Sequence, residues 1–99
     1  MQVLLEVLGD KVFEIRWLAA DGLIMMGKAV LVPVLEALIK HSDSRLLRES
    51  VHHILRELTT GDIKPILDPV IAAIDGTEPL GEAPRAARTA IDALNQRGQ

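Results

Sequence analysis

Apolar residues recur along this chain with the spacing of about 3.6 residues that marks the buried face of an amphipathic helix. The clearest stripe lies in 44–59 and consists of Leu47, Val51, Ile54, Leu55 and Leu58. The same spacing predicts further helices over 13–26, 30–41, 62–75 and 83–96, preceded by a short apolar helix over 2–8. Runs of the strand type are missing, so the pattern predicts an all-α protein.

Glycine and proline residues set the expected limits of these helices. Gly27 and Gly61 follow apolar stretches and are plausible helix stops. Pro69 falls inside the fifth helix, where a missing N–H should produce a kink, and 76–81 (GTEPLG) is a predicted loop. In the last helix the expected buried residues are Ala87, Ala90, Ile91 and Leu94. In the second helix they are Ile15, Leu18, Ala19, Gly22 and Met26, with Gly22 allowing a neighbouring helix to approach closely.

Two stretches of the chain repeat each other at an interval of 32 residues. LVPVLEALI at 31–39 matches IKPILDPVI at 63–71, with proline at the third position of both. Ile15-Arg16 matches Leu47-Arg48 at the same interval, and Ala87-Arg88 is a looser third match. Self-similarity at such a period indicates a repeat architecture. We therefore expect one domain over 1–99, built from helical hairpins at about 2–26, 30–59 and 62–96.

The order of residues within these hairpins resembles a known repeat family. The stretches that carry the resemblance are Leu5-Glu6-Val7-Leu8, Asp10 and Ile15-Arg16-Trp17-Leu18-Ala19-Ala20, then Leu35-Glu36-Ala37-Leu38, Asp43 and Leu47-Arg48. An apolar helix, an acidic loop residue and an apolar–Arg pair in this order are similar to the HEAT repeat, especially to the short bacterial repeats named after phycobilisome lyases. The chain departs from the pattern at 50–53 and in its proline-bearing fifth helix.

The resemblance implies a short right-handed α-solenoid in which three HEAT-like hairpins stack. It also implies a ladder in which the loop aspartates pair with the helix arginines, Asp10 with Arg16 and Asp43 with Arg48. HEAT repeats serve many different partners, so this likeness bears on architecture more than on activity.

Composition narrows the classes of function. The chain has 99 residues, a net charge of −3, no cysteine, one Trp and one Phe. Scattered Lys and Arg residues and scarce aromatics do not form a nucleic-acid footprint. No apolar run approaches the roughly 18–20 residues of a membrane span, and no signal peptide is evident. We expect a cytoplasmic protein that binds neither nucleic acid nor membrane.

The 32-residue period predicts which side chains share a surface. It aligns Trp17 with Glu49, Asp21 with His53 and Ile24 with Arg56, all away from the core stripes. In HEAT stacks the second helices line the concave side, so the resemblance implies that these six residues share one groove. Trp17 is the expected anchor for a protein or peptide partner, because Trp is enriched at binding hot spots. The alternative is that Trp17 packs as ordinary structure.

A metal site is the strongest of the alternative chemistries. Its candidate ligands are Glu49, His52 and His53, a carboxylate and imidazole set that suits Zn, Fe or Ni. The HEAT-like enzyme deoxyhypusine hydroxylase uses repeated His-Glu dipeptides, and this chain has none. Adjacent histidines on a helix also point in different directions. We therefore expect no metal and no other cofactor, and polar pairing as the ordinary role of these residues.

These observations favour a scaffold module that binds a protein or peptide along the second-helix face. Neither a phosphate-binding glycine loop nor a recognisable nucleophile motif is present, so catalysis is not expected, although the sequence leaves the question open. Two further alternatives remain. One is self-association, as a possible homodimer through the apolar residues 2–8. The other is an accessory role in handling a metal or a chromophore.

Overall fold

The computed structural model describes residues 2–76 and 82–97 and, over these ranges, contains helices and turns but no strand. Two 3-10 turns, Gly27–Val30 and Gly61–Ile63, precede the third and fifth helices. The described helices are α1 (Gln2–Glu6), α2 (Phe13–Met25), α3 (Leu31–Lys40), α4 (Arg45–Leu58), α5 (Lys64–Asp75) and α6 (Glu82–Gln96). Most of the predicted loop at 76–81 and the last two residues lie outside the described ranges.

The helix limits agree with the predicted ones to within two residues. Ser44 caps α4, because its side chain accepts a hydrogen bond from the Leu47 N–H at 3.2 Å. Gly27 and Gly61 have φ angles of 77° and 49°, which glycine adopts without the steric cost that other residues meet. Each reverses the chain and leads through a 3-10 turn into the next helix. Pro69 lies within α5, which is helical on both sides of it.

The first two hairpins repeat each other in detail. α1 packs on α3 and α2 packs on α4, as expected for two stacked repeats. Arg16 donates through Nη1 to the main-chain carbonyl of Asp10 at 3.0 Å. Arg48, 32 residues later, donates through Nη1 to the carbonyl of Ser42 at 2.6 Å. In both hairpins, an arginine at the equivalent position of the second helix therefore binds the main chain of the turn before that helix.

These arginine contacts differ from the ladder of carboxylates that the sequence implied. Both arginines reach main-chain oxygens six residues upstream instead of the side chains of Asp10 and Asp43. The Asp10 carboxylate accepts a hydrogen bond from the Val12 N–H at 2.8 Å, which shapes the turn before α2. The ion pairs formed by the described residues include neither Asp10 with Arg16 nor Asp43 with Arg48.

The third hairpin packs differently from the first two. α6 packs most extensively on α3 and on α5, while α5 also packs on α4. α3, α4, α5 and α6 therefore form a closed ring of neighbours, as in a four-helix bundle. A regular stack would instead place α4 beside α6, and that pair is not among the extensive contacts of the described helices. The structure is all-helical as predicted, but the three-hairpin solenoid is not confirmed.

Burial follows the predicted stripes in α4 and α6 but not in α2. Every predicted core residue of α4 and α6 is buried. In α2 the buried residues are Arg16, Ala19, Ala20 and Leu23. The prediction was wrong for Ile15, Leu18 and Met26, which are exposed, while Gly22 is half-buried. α2 carries apolar side chains on nearly all of its sides, so the spacing of apolar residues alone does not predict which face packs on α4.

Gly22 performs the role that the sequence predicted for it. A Cβ at this position would lie 3.2 Å from Cδ1 of Leu4, which is closer than side chains normally pack. The missing side chain therefore lets α1 approach α2. Leu4, Leu5 and Val7 pack against the core, and Leu8 is fully buried.

One buried polar contact joins the first hairpin to the second. Ser50 is 1% exposed, and its hydroxyl donates to the main-chain carbonyl of Leu8 at 2.7 Å. The carbonyl of Leu46 lies 3.2 Å away as a second acceptor. The Leu8 carbonyl belongs to a residue 42 positions away, so this contact joins two distant parts of the chain.

We expect Ser50→Ala to lower the free energy of unfolding by about 1–3 kcal/mol, because it leaves the buried Leu8 carbonyl without its donor. Urea denaturation measures this change. Ser42→Ala is the matched control: the Ser42 side chain is half-buried, and the hydrogen bond at this residue uses its main-chain oxygen. If Ser50→Ala lowers the free energy of unfolding no more than the control does, the Ser50 hydroxyl does not stabilise the fold through the Leu8 carbonyl.

The end of α6 is held near the turn before α5 by an ion pair between Arg97 and Asp62. The hydrogen bond from the Arg97 guanidinium, and then its charge, lower the pKa of Asp62 below its ordinary value. A carboxyl group whose pKa is lowered by folding stabilises the fold at pH values above its unfolded pKa. That contribution disappears as the pH falls through the folded pKa.

We expect Arg97→Gln to return the pKa of Asp62 toward its ordinary value, as measured by NMR titration of the carboxyl carbon. Acid unfolding should also change: below about pH 4 the wild type should lose stability more steeply than the variant, since only the wild type loses this ion pair. Equal Asp62 titration midpoints in the two proteins would show that the contact is absent in solution.

Candidate functional site

An aromatic stack connects α2 with α4 on the surface of the protein. The rings of Trp17 and His53 are stacked, with centroids 4.0 Å apart and an interplanar angle of 23°. Phe13, one turn before Trp17, also stacks with the indole, at a centroid distance of 5.1 Å and an interplanar angle of 20°. We call these three side chains the aromatic shelf. Phe13 remains 54% exposed and Trp17 37% exposed, so the shelf is open to solvent.

A carboxylate on α2 fixes the histidine of the shelf from the other side. Asp21 Oδ1 lies 3.4 Å from His53 Nε2, at the long end of hydrogen-bond distance. Asp21 and His53 occupy equivalent positions 32 residues apart, so the structure brings together the pair that the repeat predicted. Since Trp17 and Asp21 lie one turn apart on α2, both contact the same imidazole.

Charged residues border the shelf near the start of both helices. Glu49 on α4 lies 3.8 Å from Arg16 Nη2 and 3.4 Å from Arg45 Nε. The Arg16 guanidinium also lies 5.4 Å from the centroid of the Phe13 ring, within the range of a cation–π contact. Arg16 is buried, whereas half of the Glu49 side chain is exposed. Glu49 is therefore held in place while keeping accessible oxygen atoms.

Two of the six predicted binding residues do not take part in these contacts. Ile24 is half-buried and packs against the core. Arg56 is exposed and lines a separate shallow depression with α5 residues, among them Lys64 and Asp68. The structure thus joins Trp17, Asp21 and His53 directly, and places Glu49 beside them through Arg16.

The two adjacent histidines point to different neighbours of α4. His53 meets Asp21 on α2, whereas His52 Nε2 lies 2.7 Å from Asp75 Oδ1 at the end of α5. Despite this short distance, His52 Nε2 has no hydrogen-bond partner among the described residues. His52 and His53 therefore do not converge on one point as ligands of a shared ion would.

Among residues 2–76 and 82–97, no group of three or more His, Cys, Asp or Glu side chains is arranged to hold a metal ion. The described residues therefore give no geometric support to the metal site that the sequence suggested at Glu49, His52 and His53. Two depressions of about 530 and 520 Å³ lie away from the shelf, the first beside Asp62 and Arg97 and the second between α1 and α3. The shelf itself is an open surface.

Sequence reasoning missed Phe13, Arg16 and Arg45 as members of this surface. Phe13 precedes Trp17 by four residues, and Arg45 precedes Glu49 by four, so helical spacing could have indicated both pairs. Arg16 was assigned to a carboxylate ladder, and its contact with Glu49 depends on how closely α2 approaches α4.

The fold and this surface define an all-helical protein with an exposed aromatic and charged face on two adjacent helices. Comparison of the chain with protein-family models, with curated proteins and with solved structures gives no match. Within the described part of the chain, no helix is both long and apolar enough to cross a membrane.

We expect the Trp17–His53 stack to contribute a coupling energy of about 0.5–1.5 kcal/mol, because aromatic pairs gain this much beyond area burial. A double-mutant cycle with Trp17→Ala and His53→Ala, followed by urea denaturation, measures it. The matched control is the same cycle with His52→Ala, since His52 faces Asp75 and not Trp17. Equal coupling in the two cycles would contradict a specific stack.

Proposed function

We propose that this protein binds a protein or peptide segment on the face formed by α2 and α4, without catalysing a reaction. The observation that carries the proposal is the solvent-exposed stack of Phe13, Trp17 and His53. Large aromatic side chains bury wide areas on binding, and Trp is among the residues that dominate interface energies. An open surface suits a macromolecular segment better than an enclosed small molecule.

Trp17 would serve as the anchor of this face. Its indole already stacks with both Phe13 and His53, so little further side-chain freedom is lost when a partner covers it. Preorganisation of this kind improves affinity by reducing the entropic cost of binding. Asp21 supports the arrangement by holding the imidazole from its far edge.

The charges around the shelf suggest the chemistry of the partner. Two half-exposed carboxylates lie beside the shelf: Asp21 next to His53, and Glu49, which is paired with the buried Arg16 and the exposed Arg45. A segment with an apolar side chain beside Lys or Arg would place the apolar group against the exposed parts of the aromatic rings and the cation near a carboxylate. The shelf should therefore prefer basic–apolar segments.

We also propose that α1–α4 form a pair of HEAT-like repeats. The support is the shared arginine contact of Arg16 and Arg48, together with the packing of α1 on α3 and of α2 on α4. The third hairpin, α5 and α6, would then follow these two repeats but pack differently, because α6 lies against α3 in the ring formed by α3, α4, α5 and α6. Under this proposal the shelf lies on the second-helix face, the surface that the resemblance associates with partners.

We expect selection from a displayed library of random 16-residue peptides to enrich basic–apolar sequences on the wild-type protein. The selected peptides, measured by fluorescence polarisation, should bind Trp17→Ala at least tenfold more weakly, which corresponds to about 1.4 kcal/mol. His53→Ala should weaken peptide binding less than Trp17→Ala does, because it removes only one of the two rings that stack with Trp17.

Thr89→Ala is the matched control, since Thr89 is exposed on α6 away from the shelf. Circular dichroism of each variant checks that the helices remain folded. The proposal fails if no peptide is enriched over an unselected library, or if the enriched peptides bind Trp17→Ala as tightly as the wild type.

A further inference from the structure

His53 is the ionisable side chain of the aromatic shelf. Its ring stacks on Trp17 with centroids 4.0 Å apart, and its Nε2 lies 3.4 Å from Asp21 Oδ1. The His53 side chain is 22% exposed, so it exchanges protons with solvent while the protein stays folded. Histidine is the side chain that ordinarily changes charge between pH 5 and 8. A single proton therefore changes the charge of the surface that a partner would cover.

The charged groups around His53 come from α2 and from α4 itself. Asp21 on α2 is the carboxylate in contact with the ring. On α4 the charged residues about one turn away are Glu49, Arg56 and Glu57. α3 and α5 also pack on α4, but the ion pair that α5 makes here joins Asp75 to His52. Among the described residues, no ion pair joins His53 to α3 or α5.

Asp21 is the carboxylate whose charge this proton offsets. Glu49, the other carboxylate beside the shelf, already has Arg16 at 3.8 Å and Arg45 at 3.4 Å. Within the described part of the chain, the ion pairing of Asp21 is with His53. While His53 is neutral, Asp21 therefore supplies negative charge that no arginine balances. Once protonated, the imidazolium pairs with Asp21 and adds its own positive charge beside the indole.

We propose that protonation of His53 weakens the binding of basic–apolar segments to the shelf, so that partners bind more tightly at neutral than at mildly acidic pH. This inference rests on the binding function proposed above. The imidazolium repels a Lys or Arg side chain of the partner and competes with it for Asp21. One added like charge about 6 Å away at an exposed site lowers affinity about threefold. The apolar part of the contact on Trp17 is the same in both forms.

The first test follows the proton in the free protein. Trp17 is the single tryptophan of the chain, and an imidazolium in contact with indole quenches its fluorescence more strongly than a neutral imidazole does. We expect the emission to fall along a one-proton curve between about pH 8 and 5.5, and His53→Gln to abolish this fall. His52→Gln is the matched control and should retain it, because His52 faces Asp75.

The second test measures binding by fluorescence polarisation. The probe is a basic–apolar peptide enriched at about pH 8, acetylated and free of Asp, Glu and His, so that its own charge stays constant. It should bind the wild type and His52→Gln about threefold more weakly at about pH 5.5, and His53→Gln equally at both pH values. A second peptide with Gln in place of each Lys and Arg should show no pH dependence on the wild type. Circular dichroism at both pH values checks the fold.

The ways in which these tests fail have different meanings. If the Trp17 emission does not change with pH, or changes equally in His53→Gln, the proton is not taken up beside the indole and the inference is wrong. If the peptide depends on Trp17 but binds the wild type equally at both pH values, the binding face stands and the inference fails. If no enriched peptide depends on Trp17, the proposed function fails and the inference fails with it.

Discussion

The contact between α2 and α4 is the feature on which the rest of the structure depends. α2 packs extensively on α4, and the small residues Ala19 and Ala20 of α2 are buried. The Ser50 hydroxyl then joins α4 to the turn after α1. Trp17 belongs to α2 and His53 to α4, so their stack exists only while these helices keep their register. Folding and the candidate binding surface are therefore stabilised by the same contact.

α4 is the central helix because its different sides pack on different neighbours, α2, α3 and α5. Its adjacent histidines show this most simply: His53 lies against Asp21 on α2, and His52 against Asp75 on α5. Successive residues on a helix point about 100° apart, so two neighbouring side chains can serve two separate packing contacts. The two adjacent histidines therefore belong to a helix that packs between two neighbouring helices.

The sequence predicted the parts of the fold that local chemistry controls. Gly27 and Gly61 marked helix ends, and the buried stripe of α4 followed from its strong contrast between apolar and polar faces. The 32-residue period also predicted the meeting of Asp21 with His53. What the sequence did not predict depends on long-range packing. α6, whose small residues Ala87 and Ala90 are buried, packs on α3 as well as on α5, and the repeat pattern does not contain the contact with α3.

The wrong stripe predicted for α2 has a physical explanation in the number of surfaces this helix presents. One side, with Ala19 and Leu23, is buried. A second side carries Phe13 and Trp17 of the shelf, and a third side carries the exposed Leu18 and Met25. A helix that presents apolar residues to three different directions loses the one-sided pattern from which burial is predicted. The weak amphipathicity of α2, beside the strong amphipathicity of α4, therefore follows from apolar residues on several sides of α2 and is consistent with the binding surface proposed for this helix.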